Sequence, residues 1–233
     1  VFFRDKRLAL RLRDCLRVDK AMLRDYLRVT LPVTCTAALW GVSNALQTVI
    51  LGHLDDSAIA AQSISSTVFL LLKVTSVGAA SAASILIGKT IGEGRMERLR
   101  EYTRTLQLTF LAIGLTLAAI MLCVRGPLLA LYDISERTLA GAYMLIQSVV
   151  LFTMSYQMPV NTGIIRGGGD TRFAMILDLV SIWGIVMPAS LLCTFVWKLS
   201  PIAVIIALNS DQVFKCIPAC IRVNSYKWVK KLT

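Results

Sequence analysis

The groups able to do chemistry in this 233-residue chain are few, and the most telling of them lie inside apolar stretches. Lys73 falls at the midpoint of one stretch, Asp178 in the first half of another, and Asp211 and Lys215 stand four apart in a third. An ionised side chain in an apolar span costs on the order of 3 kcal/mol or more unless it is solvated or paired. Residues four apart on a helix meet, so Asp211 and Lys215 are read as a local ion pair with a structural role, proton transfer being the other reading. Asp178 is a candidate proton carrier or a partner for Lys215. A water-filled cavity would solvate Lys73; the alternatives are snorkelling of its aliphatic stem or pairing within the bundle.

Other chemistries lack their residues. The six cysteines, Cys15, Cys35, Cys123, Cys193, Cys216 and Cys220, form no C-x-x-C pair and are accompanied by a single His53, so neither a metal site nor a disulfide framework is expected. Gly88-Lys89-Thr90 resembles the end of a phosphate-binding loop, but that motif needs a glycine where Ala83 stands. No catalytic residues and no cofactor are expected.

The elements that position these groups are apolar helices. Stretches at 31–51, 59–87, 106–124, 139–165, 173–196 and 201–221 each meet or approach the roughly 20 residues that cross a bilayer core. Apolar residues make up 56% of the chain and charged ones 17%, below the usual quarter for soluble domains. Six crossings place both termini and the second and fourth connections on one face, with nearly all the Lys and Arg. The opposite face holds Arg125, Arg137 and Lys198. Basic loops stay cytoplasmic, so both termini are expected in the cytoplasm and the chain in the plasma membrane. The net charge of +11 is thus distributed by topology, and nucleic acid is not an expected partner.

The expected organisation is all-α: residues 1–30 an interfacial amphipathic helix or linker, 31–221 a six-helix transmembrane lobe, 222–233 a basic cytoplasmic tail. Leu8, Leu12, Leu16, Leu23 and Leu27 give the first segment its apolar stripe. Residues 96–104, with mixed charges, read as a second interfacial helix. Ser200-Pro201 reads as a capping hydroxyl before a proline at the first helical position.

Within the spans, Thr36, Trp40, Asn44 and Gln47 share one helix face, and Tyr143, Gln147, Met154, Met158 and Asn161 another. Such stripes suit the wall of a cavity for a small-molecule substrate, since methionine adapts to varied apolar ligands and amides orient them; interhelical hydrogen bonding is the alternative. Pro159, Pro188 and Pro218 each remove a helical hydrogen bond, and the Gly184 to Pro188 step is the expected hinge. The small residues at 78–84 should seat against a neighbouring helix.

One loop carries a specific likeness. Ile164-Ile165-Arg166-Gly167-Gly168-Gly169-Asp170-Thr171-Arg172-Phe173 resembles the R-G-x-G-D-T-R signature that ends the fourth helix of each half of the multidrug and toxic compound extrusion (MATE) transporters. Its glycines would allow a tight reversal, and Asp170 could cap the next helix and pair with Arg166 or Arg172. Leu31-Pro32 at the opening of the first span, Gly52-His53 at its close, Ser181-Ile182-Trp183 with Pro188 in the fifth, and the tail at 222–228 are similar in the same order.

The resemblance implies one lobe, the C-terminal one, of a twelve-helix MATE-type transporter that exports cationic or amphipathic compounds in exchange for H+ or Na+ by alternating access. Its partners would be membrane lipid and an N-terminal six-helix lobe or a second copy. Some family members carry an ion-binding carboxylate in the first and fourth helices of this half; here both helices lack any charge, and Trp40 stands near that position. Coupling through an aspartate of the other lobe would place the coupling residue outside this sequence. Other readings are a lipid or oligosaccharide flippase of the same superfamily and a non-transporting remnant or scaffold.

Overall fold

The computed structural model describes residues 20–53, 56–130 and 134–229; most of the 1–30 segment therefore lies outside the described residues. These residues form six long helices and no strand. Helix α1 is Lys20–Leu51, α2 Asp56–Gly92 and α3 Met96–Ala130. Helix α4 begins at Ile134–Met158 and runs on through π-helical turns at Pro159–Ile165. Helix α5 begins at Thr171–Leu179, passes through π turns at Val180–Val186 and an α turn at Met187–Leu191, and ends in π turns at Leu192–Val196. Helix α6 is Pro201–Asn224. Helices are what a lipid environment dictates, because each backbone group must find its partner within its own segment.

The chain is a multi-pass membrane protein: α2 to α6 each contain a segment long and apolar enough to cross a bilayer. Apolar side chains such as Leu71, Ile85, Leu108 and Ile221 stand outward, and in lipid they cost nothing.

Several boundaries differ from the sequence expectation. Helix α1 does not open at Leu31-Pro32 but runs unbroken from Lys20. Residues 96–104 are not a separate interfacial helix; they are the first turns of α3, 35 residues long, with Leu99 and Thr103 already buried. Helical hydrogen bonding adds one bond per residue once a helix exists, so extending a span is easier than nucleating a new helix. The same helix continues past residue 124 through Pro127. At α6, Pro201 does open the helix, but the Ser200 hydroxyl makes no capping bond. Its carbonyl instead accepts from Ala203 N at 2.9 Å.

Helix α4 is the hub, packing against α2, α3 and α6, while α1 rests on α5 alone among the larger contacts. The small-residue run seats against the π end of α4: a Cβ on Gly163 would come 2.8 Å from the Ala80 carbonyl oxygen and 3.0 Å from Ala83 Cβ. A Ser76–Ser155 hydroxyl pair at 2.8 Å joins the same two helices one step deeper. In the absence of a hydrophobic drive between helices in lipid, such close backbone approach is what holds them.

Candidate transport cavity

Between α1, α2, α4, α5 and α6 lies a cavity of about 280 Å³. Each helix sends polar residues into it. Trp40, Asn44 and Gln47 come from α1, Lys73 from α2, Met154, Met158 and Asn161 from α4, Asp178 from α5, and Asp211 and Lys215 from α6. A second hollow, of about 270 Å³, shares Trp40 and Asp178 with the first and is lined as well by Thr36, Arg166 and Trp183.

Tyr143 and Gln147 line neither of these hollows, contrary to the stripe read from the sequence. Tyr143 is fully buried in an apolar cluster with Val204, Ile205 and Leu208 of α6. Gln147 is buried as well, and its Oε1 has no hydrogen-bond partner among the described residues. The stripe is one face of α4, but α6 closes against its first third, and the hollow begins only near Val150.

Four side chains expected singly or in pairs form one alternating chain of charge. Arg166 Nη2 lies 2.8 Å from Asp178 Oδ2, Lys215 Nζ 3.3 Å from Asp178 Oδ1, and Lys215 Nζ 2.9 Å from Asp211 Oδ2. The local pair therefore has a second carboxylate from α5, and the network ties the end of α4 to the first third of α5 and the middle of α6. Asn161 Nδ2 donates to Asp178 at 3.5 Å and Gln212 Nε2 to Asp211 at 2.7 Å. Lys215 is only 4% exposed, so this is a pairing at low dielectric, where losing one partner is costly.

Lys73 is not part of that network. Its Nζ sits 5.8 Å from the centroid of the Trp40 ring, a cation–π placement across α1 and α2. Gln157, Thr162, Asn209 and Gln212 also line the cavity and were missed from sequence. The signal was there for two of them: Asn209-Ser210-Asp211-Gln212 is an unbroken polar run inside an apolar span.

The glycine loop resolves differently from its expectation. Asp170 precedes α5 but its side chain makes no capping bond. Instead of Arg166 or Arg172 it takes Arg222 of α6, whose Nε donates to Oδ2 at 3.0 Å. Thr171 begins α5, Arg172 stays exposed, and Gly169 holds a φ of +94, a conformation glycine adopts without strain. Gly167 packs on Ser84, where a Cβ would come 3.1 Å from Ser84 Cα. The tail beyond α6 docks on this loop, and the Trp228 indole donates to the Val223 carbonyl at 2.8 Å.

Comparison with known proteins decides the family. The MatE family model matches residues 32–192. This chain belongs to the MatE family. The family is one of transporters rather than enzymes. Among curated relatives, a probable multidrug resistance protein NorM of Xylella fastidiosa is 27% identical over 173 residues, 73% of this chain and 37% of that protein. The multidrug resistance protein PmpM of Pseudomonas aeruginosa is 26% identical over 73% of this chain and 36% of its own length. The chain thus spans well under half the length of these curated relatives. The same fold is seen in a MATE transporter crystallised in complex with MaD3S, with a TM-score of 0.79 at 18% identity over 88% of this chain and 46% of that one.

Proposed function

We propose that this chain is the C-terminal lobe of a secondary-active exporter that moves amphipathic organic compounds across the plasma membrane by alternating access, in exchange for H+ or Na+. The observation that carries the reading is the cavity itself. It opens among five helices of a membrane lobe and is lined by an adaptable methionine pair, Met154 and Met158, beside the amides Asn44, Gln157 and Asn161. The positive face, with both termini, is taken as cytoplasmic.

The opposite wall comes from an N-terminal six-helix lobe or from a second copy, and the two lobes rock about the cavity. Asp178 and Asp211 serve structure in this scheme, since each is already neutralised by Lys215 or Arg166. The coupling carboxylate then belongs to the other lobe. Pro188, following the π turns of α5, with Gly184 one turn before it, is the hinge that lets the inner half of that helix move. A flippase for polyanionic lipid-linked substrates fits less well, because the bases beyond Lys73 in this wall are matched by carboxylates.

The test is accumulation of a fluorescent amphipathic compound by efflux-deficient cells expressing the complete gene product. Lowered accumulation that is abolished by collapsing the ion gradient, and weakened in Asn161→Ala, is the expected result. Accumulation equal to that of empty-vector cells, with the protein present in the membrane, would sink the proposal.

A further inference from the structure

We infer that the Lys73–Trp40 pair is a recognition site for compounds that join an anionic group to an aromatic body, so that this lobe selects for acids rather than for cations. The inference rests on the reading of the cavity as a substrate site and names the polarity of what binds there.

The argument is one of charge partners. The cavity wall holds two carboxylates and two ammonium groups, and Arg166 reaches in from the end of α4. Lys215 lies within 3.3 Å of both Asp178 and Asp211, and Arg166 lies 2.8 Å from Asp178. Lys73 has neither an ion pair nor a hydrogen bond among the described residues; its protein neighbour is the Trp40 ring. A ligand cation entering this wall meets carboxylates already engaged by buried bases, together with the positive charge of Lys73. A ligand anion meets an ammonium whose three N–H groups have no acceptor among the described residues.

Geometry adds the second half of the ligand. Trp40 is 54% exposed and borders both hollows, so an aromatic body can lie against it while its acid reaches Nζ. Asn44 and Gln47, on the same α1 face as Trp40, supply neutral polar contacts beside the acid. An ionised lysine in a membrane span is costly, and a charged ligand that pairs with it recovers that cost on binding.

Two xanthene dyes of opposite charge, fluorescein and rhodamine 6G, separate the possibilities. Their affinities for the purified complete gene product in nanodiscs are read by fluorescence anisotropy, so the result stands whether or not efflux is found in cells. Wild-type protein is expected to bind fluorescein more tightly. Lys73→Met should weaken fluorescein about tenfold or more, as loss of a hydrogen bond to a charged group does, and Lys73→Arg should largely restore it. Rhodamine 6G should bind Lys73→Met at least as well as wild type, which also certifies that the site is intact. Four results would overturn the inference: a wild-type preference for rhodamine 6G; binding of neither dye; fluorescein affinity unchanged in Lys73→Met, in which case the lysine answers a protein carboxylate; or equal weakening of both dyes.

Discussion

The ring of Trp228 occupies the space into which a side chain on Gly168 would project. The tail is thereby fitted to the signature loop at a position only glycine permits. Around this contact Arg222 holds Asp170 and stacks on Phe173 at 4.9 Å, and Arg100 of α3 stacks on Tyr226 at 5.4 Å. Residues 225–229 are therefore a clamp on the positive face of the lobe.

Gly168→Ala should displace that clamp. Any Cβ forces the buried indole to move, and overpacking of this kind costs about 1–3 kcal/mol. Limited trypsin digestion at the exposed Lys227 should be faster in the variant than in wild type, with Gly92→Ala, where a Cβ has open space, as the control.

Lys215→Met should destabilise the lobe by about 3–5 kcal/mol, because Asp211 and one oxygen of Asp178 are left without their base. Adding Asp211→Asn should recover part of the loss. The midpoint of thermal unfolding in detergent reads both effects, and an unshifted Tm in Lys215→Met would deny the network its structural role.

Gly163→Val tests the close approach of α2 and α4. Ala80 O and Ala83 Cβ leave no room for a branched side chain, so a loss of at least about 1–3 kcal/mol is expected. Gly78→Ala lies in the same small-residue run but in open space, and should hold or raise stability by up to about 1 kcal/mol. Their Tm values should move apart.

The hinge predicts a separation of stability from transport. A Cβ on Gly184 would meet only Val180 Cγ1 at an ordinary 3.8 Å, so Gly184→Ala should fold as well as wild type or better. Export by the complete gene product should nevertheless slow, read as dye efflux per amount of protein in the membrane. Unchanged efflux would remove Gly184 from the hinge.

Topology is tested by labelling. Lys198 and Lys227 are both exposed and lie on opposite faces of the threading. In intact cells, a membrane-impermeant maleimide should label Lys198→Cys and spare Lys227→Cys in a background without other cysteines. The reverse pattern would invert the assigned orientation.

What could be read from sequence was what lipid makes one-dimensional. A span must be apolar for about 20 residues, and breaks in that pattern are costly wherever they occur. Lys73, Asp178, Asp211 and Lys215 were therefore conspicuous before any fold was known. Helix boundaries were less legible: 96–104 reads as polar surface, yet it is the start of α3, because extending a helix needs less than nucleating one.

Sequence alone settled the fold class, five apolar rods long enough to cross a bilayer and the uneven spread of positive charge along the chain. Only the tertiary structure decided what each face meets. Helical phase put Tyr143 and Asn161 on one stripe of α4, but α6 closes over the first and the cavity opens at the second. The π turns at Pro159–Ile165 and Val180–Val186 add to this, since each carries more residues than an α turn and rotates the next part of its helix out of a 3.6-residue projection. Partner choice was likewise three-dimensional: Asp170 takes Arg222, 52 positions away, rather than the arginines beside it, because an ion pair depends on which helices are neighbours and not on distance along the chain.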